Sequence, residues 1–474
     1  MSDPSQTAAA RTEARDLPFT AAVASVALLP RLFVAIAWAR EPVWDGHYYH
    51  FGAERLASGL GYSEDVFVGG HWAWKAWCHY PVGYSGFLAG LYQLFGSGLL
   101  VAPIANALLG TLVAVGVHRL ARYFLSQNRA RIAAGIAALH PGLIAYSAVV
   151  MSELLAALLV TAALWLAVRA RGRWSGMIAT GVTIGLATLV RPPSLLVAPL
   201  LLLVVPGKLW SALLKAAAVT ALALVVVLPW TLRNCRVMDG CALVSTNGGW
   251  NLAIGALSET GRFKTLRAED GCPVVTGQVQ QDRCWAQVGR DVIRSDPAKW
   301  LSLMPKKLGQ TYDHESFAIE YLHEAEPKLW PEPRRAAGRG LLTLFHRLLL
   351  VAAALSVVGL VRWGVSHTAW FVQTGVLAAV ALLAINAFVD DYHPFFWLVV
   401  LTPLVPVLQL PGRPWLGPAG RGLLGLLAAT SATHAVFFGD DRYHLVVAPA
   451  LCILAAAALR EPALRRARAS RPAS

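Results

Sequence analysis

Residues 211–234 read SALLKAAAVTALALVVVLPWTLRN. Lys215 is the one charge before Arg233, and the stretch between them is almost wholly Ala, Leu and Val. A helix on the surface of a water-soluble domain carries a polar face along its length. This stretch has no such face, and at about 1.5 Å per residue it is long enough to cross roughly 30 Å of hydrocarbon. It stops on Pro229-Trp230-Thr231-Leu232-Arg233-Asn234, where an aromatic and polar groups arrive together, as they do where a chain leaves lipid.

Comparable apolar runs lie on either side, at 17–39, 99–118, 131–149, 152–168, 174–190, 193–205, 341–361, 368–388, 394–410, 422–438 and 444–459, with 193–205 short and bounded by proline. The expected fold is therefore all-α and polytopic, with about twelve transmembrane helices. Composition agrees. Of 474 residues 56% are hydrophobic and 14% charged, where soluble domains carry about 25% charge. The net charge of +14 does not mark a nucleic-acid binder, because the bases follow topology. Segments 119–131, 169–174, 206–215, 362–367, 411–421 and 460–474 hold seventeen Arg or Lys and one acid, Glu461. The opposite connections, 40–98, 150–153, 191–192, 389–393 and 439–443, hold ten acids and five bases, so both termini are expected in the cytoplasm. Ala37-Trp38-Ala39 mimics a signal-cleavage site, but the apolar run before it is too long for a usual signal core and reads as a span.

The chain divides into a cytoplasmic N-terminus (1–16), an N-terminal membrane module (17–230) with an outward loop at 40–98, a larger outward loop (231–340), C-terminal membrane helices (341–460) and a basic cytoplasmic tail (461–474). Within the first loop, 47–60 and 82–96 read as interfacial or re-entrant helices. In the second loop, 286–311 is amphipathic and ends in Lys306-Lys307, expected near headgroups. Five of the six cysteines fall outside the cytoplasm. Bridges Cys235–Cys241 and Cys272–Cys284 suit an oxidising compartment and short separations; free thiols are the alternative, since sequence does not fix connectivity.

Ionisable residues gather at the outward span ends: Asp45 in Trp44-Asp45-Gly46-His47-Tyr48-Tyr49, Glu153 after Met151-Ser152, Arg191 before Pro192-Pro193, Arg233, the run Asp390-Asp391-Tyr392-His393, and Asp440-Asp441-Arg442-Tyr443-His444. Such groups at membrane depth are functional candidates by default, against a background of residues that merely mark the interface. Arg31, inside the first run, either snorkels outward or pairs within the bundle. One chemical need matches the set. A sugar linked to a polyprenyl phosphate places its phosphate at headgroup level, where Arg191, Arg233, Arg442 or Lys75 can hold it as it departs. A carboxylate, Asp45 before Glu153, takes the proton of an attacking acceptor hydroxyl. Tyr48, Tyr49 and the neighbouring tryptophans can stack on sugar faces or form an interfacial aromatic belt. His47, His71 and His79 follow no metal-ligand spacing, so no metal site and no cofactor are assigned, while a divalent metal remains compatible.

With these residues in view, the chain resembles the C-type glycosyltransferases, in particular the bacterial protein mannosyltransferase and aminoarabinose transferase group. The resemblance is carried by Asp45-x-x-x-Tyr49 with Leu56-Ala57-Ser58-Gly59, by Tyr80-Pro81-Val82-Gly83-Tyr84, by Ser152-Glu153-Leu154, and by Gly185-Leu186-Ala187 with Arg191-Pro192. Pro229-Trp230-Thr231-Leu232-Arg233-Asn234, Ser245-Thr246-Asn247-Gly248-Gly249 and Arg442-Tyr443-His444 complete it. It implies an enzyme of the bacterial inner membrane with its site facing the periplasm, a polyprenyl monophosphate sugar donor, and a catalytic aspartate at Asp45. Asn234, Asn247 and His444 are then candidates for sugar or acceptor binding. Many relatives have Asp-Glu at Asp45-Gly46, and some have a basic residue at Tyr80, which leaves Lys75 or Arg55 as substitutes for a first-loop phosphate contact.

The expected reaction is inverting transfer of a sugar to an acceptor hydroxyl on a glycan, lipid or protein, with membrane lipids as surroundings and no nucleic acid. A transporter or flippase of a lipid-linked sugar would instead carry charges deep in several spans and an inverted repeat. A polymerase or ligase taking a diphosphate-linked donor is the nearer alternative.

Overall fold

The computed structural model describes residues 4–273, 277–362, 367–389, 396–402, 413–414 and 418–459. The N-terminal part runs α1 (Pro4–Ala37), α2 (Asp45–Ala57), a hairpin of β1 (Ser63–Val68) and β2 (His71–Ala76), then α3 (Val82–Phe95), α4 (Val101–Ala121), α5 (Gln127–Ala138), α6 (Pro141–Ala145), α7 (Glu153–Ala170) and α8 (Trp174–Val190). After α9 (Val197–Leu200) and flanking 3-10 turns come α10 (Leu209–Val237), α11 (Gly248–Leu257), α12 (Gln278–Ser295), α13 (Pro297–Tyr312) and α14 (Phe317–Ala325). The remainder holds α15 (Glu332–Leu360), α16 (His367–Val389), α17 (Phe396–Leu401), α18 (Pro418–Val436), a 3-10 segment Asp441–Val447 and α19 (Ala448–Ala457), with a two-residue pairing of β3 (Val361–Arg362) and β4 (Arg413–Pro414).

Among the described residues five helices are long and apolar enough to cross a membrane: Asp16–Ala37 of α1, α4, α7, α10 and Glu332–Ser356 of α15. Shorter apolar helices lie at Trp174–Val190, Pro192–Leu203 and Thr374–Val389. Leu29 and Phe33 on α1 and Val225 on α10 stay largely exposed, an arrangement that suits lipid. α7 packs on α8 and α4, α8 on α10, α4 on α1, and α15 on α19, and Gly181 and Gly185 of α8 lie against Leu222 and Val226 of α10. All ten residues of α19 are buried, so this short helix stands inside the bundle. Small residues let helix backbones approach where apolar burial alone gives no drive.

Several expected spans are broken. The run 131–149 is α5 and then α6, parted at His140-Pro141. The proline ring disfavours helical geometry at the residue before it, and His140 Nδ1 accepts the Leu143 N–H instead. Residues 193–205 form only short helical turns. The run 444–459 starts as a 3-10 turn, and 286–311 is cut at Asp296-Pro297, where the Asp296 carboxylate caps α13 at Lys299 N. Lys307 is not at a headgroup surface: it is fully buried, and its ammonium donates to the last carbonyls of α18, Ala435 and Val436. Arg31 pairs within the bundle, donating to the Ala137 and Ala138 carbonyls at the C-terminus of α5, where the helix dipole favours a cation. The first loop adds the unforeseen hairpin, held to α2 by a bidentate Arg55–Asp65 pair at 2.6 and 3.0 Å. Asp390, Asp391, Tyr392 and His393, most of the run 394–410 and the basic tail lie outside the described residues.

Candidate active site

The starts of α2 and α7, the segment before α3, the end of α8, α11, the end of α18 and the 3-10 segment meet at one cavity. Trp44 precedes α2 with φ +50°, a left-handed conformation that an L-residue with a bulky side chain rarely adopts and that clusters at functional positions. Its ring is held against Phe317 and Tyr321. The next residue is Asp45. A Cβ at Gly46 would lie 2.4 Å from the Tyr321 hydroxyl and 2.7 Å from the Val150 carbonyl, so glycine is required for α2 to start here. That contact leaves no room for a side chain next to Asp45.

Asp45 is doubly held. The Tyr80 hydroxyl donates to its Oδ1 at 2.7 Å, and Arg442 Nη1 donates to Oδ2 at 2.5 Å. Burial pushes the Asp45 carboxyl up, but Arg442 and Tyr80 outweigh that push and hold it below its usual value. Burial and the Asp45 charge raise the Tyr80 hydroxyl far enough to keep it a donor. Tyr80 thus meets the carboxylate with a neutral hydroxyl and not with a positive charge. Pro81 opens α3, and at Gly83 a Cβ would lie 2.5 Å from the Leu189 and Val190 backbone. This close crossing sets the end of α8, and so Arg191, beside Tyr80.

Arg191 Nη1 donates to Glu153 Oε1 at 2.6 Å, and Glu153 is fully buried with Oε2 unpartnered. The guanidinium carbons of Arg191 and Arg442 each lie 5.1 Å from the centre of the Tyr443 ring, on which His434 also stacks at 4.1 Å. Asp440 is 3.7 Å from Arg442; burial raises its carboxyl to about 7, opposed by Arg442 and helped by the charge of Asp441. Asp441 turns away and accepts the Ser316 and Phe317 N–H groups at the start of α14.

These groups line a cavity of about 660 Å³. Asp45, Tyr49, Tyr80, Glu153, Arg191, Asn247, Asn251, Arg442 and Tyr443 form its polar part, while Pro192, Pro193, Leu196, Ile254, Val436 and Phe437 make an apolar remainder. The site therefore brings together Asp45, Glu153, Arg191, Arg442, Tyr49 and Asn247 from the sequence candidates.

Others lie elsewhere. Arg233 does not reach the cavity: its guanidinium donates to the Tyr62 and Trp77 carbonyls and covers Trp230. Asn234 donates to Ala242 and Val244 carbonyls, joined by Trp230 Nε1 to Val244 O at 2.8 Å and Thr231 to Leu243 O at 2.7 Å. The Pro-Trp-Thr-Leu-Arg-Asn motif is thus a clamp that folds 242–246 back on α10 and delivers Asn247 to the cavity. Cys235 and Cys241 are joined just inside that fold-back, and Cys272 is joined to Cys284; Cys78 and Cys452 are free and buried. Lys75 lies on β2 opposite Glu64, outside the cavity wall, and Arg55 is engaged by Asp65. Tyr48 is exposed and stacks on Tyr80 from outside. His444 faces inward, towards Glu315 and His346. Sequence reasoning missed Tyr80, His79, Trp250 and His434 as wall residues, since an aromatic near a span end looks like any interfacial one.

Helices and cavity together define a polytopic membrane protein with its site at the span ends. The sequence model of the dolichyl-phosphate-mannose-protein mannosyltransferase family matches residues 79–232, a stretch that holds Tyr80, Glu153 and Arg191 and lies between Asp45 and Arg442. This match falls within the C-type glycosyltransferase group that the motifs resemble. No curated protein matches the chain. Among solved structures, the Archaeoglobus fulgidus oligosaccharyltransferase with a tethered acceptor peptide aligns with 93% of this chain at 15% identity and TM-score 0.48. The chain spans about half of that protein, 49% of its length. ArnT from Cupriavidus metallidurans bound to undecaprenyl phosphate aligns with 91% of this chain and 77% of its own at 16% identity and TM-score 0.35.

Proposed function

We propose that the protein transfers a sugar from a polyprenyl-phosphate donor to an acceptor hydroxyl at the outward membrane face, inverting the anomeric centre, with Asp45 as general base. The observation that carries this reading is the division of the cavity's lining between a charged set, Arg191 and Arg442 with Glu153 and Asp45, gathered about the Tyr443 ring, and an apolar set of Pro192, Pro193, Leu196, Ile254, Val436 and Phe437. A prenyl phosphate sugar has the same division. The acceptor O–H gives its proton to Asp45 as the new C–O bond forms at the anomeric carbon. The bond from that carbon to the phosphate oxygen breaks, and the electron pair leaves on the phosphate, where Arg191 and Arg442 offset the growing charge.

Each Asp45 oxygen retains an acceptor position beyond its present bond. As the donor phosphate draws Arg442, the carboxylate loses part of its counter-charge and becomes a stronger base at the moment it is needed. Glu153 holds Arg191 and starts a helix, which suits positioning better than proton transfer.

The test is transfer from defined polyprenyl-phosphate sugars by purified enzyme, with acceptors identified by mass spectrometry of glycans and lipids in a deletion strain. Asp45→Asn should lower turnover by about 10²–10⁴-fold and leave donor binding in place. Near-normal turnover in that variant removes Asp45 from the mechanism. Turnover with diphosphate-linked donors alone would replace the donor class.

A further inference from the structure

A second convergence of ionisable groups lies behind the cavity wall. Glu315 is in the link between α13 and α14, His346 on α15 and His444 in the 3-10 segment before α19, and all three are buried. Glu315 Oε2 lies 3.8 Å from His444 Nε2 and 4.0 Å from His346 Nδ1. Among the described residues neither Glu315 oxygen has a hydrogen-bond partner, nor does either of those ring nitrogens.

The far side of each ring fixes what the near side can do. His346 Nε2 lies 3.0 Å from the Tyr312 carbonyl, and His444 Nδ1 lies 2.8 Å from the Thr311 carbonyl. A carbonyl only accepts, so both of these nitrogens carry hydrogen. In the neutral rings the lone pairs then sit on His346 Nδ1 and His444 Nε2, the two atoms that face Glu315. Three acceptors therefore occupy one buried space, within 4.8 Å of one another, with no donor among them. A single proton shared between Glu315 and His444 would still leave His346 Nδ1 unsatisfied. One cation would satisfy all three.

We propose that Glu315, His346 and His444 bind one divalent transition-metal ion, zinc by the chemistry of the donors. Two imidazoles and a carboxylate form a known zinc donor set that leaves a position for a further ligand. Backbone carbonyls on the opposite ring nitrogens are the outer support that metal-binding histidines use. The ligand spacings, 3.8 and 4.0 Å from Glu315 and no more than 4.8 Å overall, are wider than the roughly 3.4 Å edge of a tetrahedron about zinc, and the rings stack at 3.8 Å. A small rotation of one ring with a slight contraction closes the site. The ion would tie the α13–α14 link, α15 and the segment carrying Arg442 to one point, and its role is structural.

The full chain is purified in detergent without chelator and its metal measured by inductively coupled plasma mass spectrometry. About one zinc per chain is expected, with only nitrogen and oxygen neighbours in zinc-edge X-ray absorption. Stripping the metal should lower the melting temperature by several degrees, and Zn²⁺ alone should restore it. Glu315→Gln and His346→Gln should each lose the zinc, while Asp45→Asn keeps it, so the result is independent of the proposed transfer reaction. Wild-type protein with only trace metal and a melting temperature indifferent to Zn²⁺ overturns the proposal and leaves a protonated Glu–His cluster. Because content and absorption are read on wild-type protein, a variant that folds poorly does not blunt the test.

Discussion

Arg442 does two things to Asp45 with one bond: it fixes the carboxylate in place and holds it ionised. The acid limb of activity should expose this. A general base works only when ionised, and Arg442 keeps Asp45 so at pH values where an ordinary carboxyl protonates. In Arg442→Gln the effect of burial is no longer opposed by that cation, so the folded-state pKa rises and activity fails at higher pH. The acid limb should move to higher pH, read from pH profiles of the two proteins at saturating donor. The variant should also bind donor more weakly by about 1.5–3 kcal/mol. A weakened enzyme with an unshifted limb would separate Arg442 from the ionisation of Asp45. At this scale the sequence was partly legible. Asp45, Glu153, Arg191 and Arg442 stood out because charge at the border of an apolar run is costly without a reason. Arg233 and Asn234 looked the same and are structural, because their carbonyl partners come from distant segments that no local pattern reveals.

Among the elements, the crossing of α3 over the end of α8 is one close approach that positions the site. Gly83→Val should force the two backbones apart, at a cost of about 1–3 kcal/mol, and move Arg191 with them. Thermal unfolding and transfer assays should show a lower melting temperature and reduced turnover. Gly86→Ala in the same helix meets open space and serves as the control. Equal effects at both positions would mean that general helix damage, and not the crossing, is responsible. Long spans such as α4, α7 and α10 were readable from apolar length alone. The break at His140-Pro141 was written in the sequence, yet hydropathy averages over it. The hairpin likewise has Gly69-Gly70 between two strands, a turn signal that the surrounding hydrophobic search passes over. Glu315, His346 and His444 come from separate elements with no motif spacing, so only folding brings them into view.

At the level of the whole molecule, orientation decides whether the cavity opens to the outward compartment. The distribution of basic residues predicts both ends of the chain in the cytoplasm and the cavity on the opposite side. A reporter active only in the periplasm, fused after Ser474, should be silent, and one inserted in the exposed stretch near Glu269 should be active. The reverse pattern would place Asp45 in the cytoplasm and undo the proposed reaction. The cavity is also a whole-molecule property in composition, since its walls draw on the first loop, the ends of α8 and α18, and the segment after α18.

The pair that completes it, Asp45 and Arg442, is separated by 397 positions in the chain. A ribosome delivers the carboxylate long before its counter-ion. Until Tyr443 slots between Arg442 and Arg191, the only cation of the pair already made is Arg191, which Glu153 engages. On the proposed reaction, a half-inserted chain can neither grip a donor phosphate nor spend an activated sugar on water. The order of manufacture thus acts as its own safety catch, released once the segment carrying Arg442 has folded.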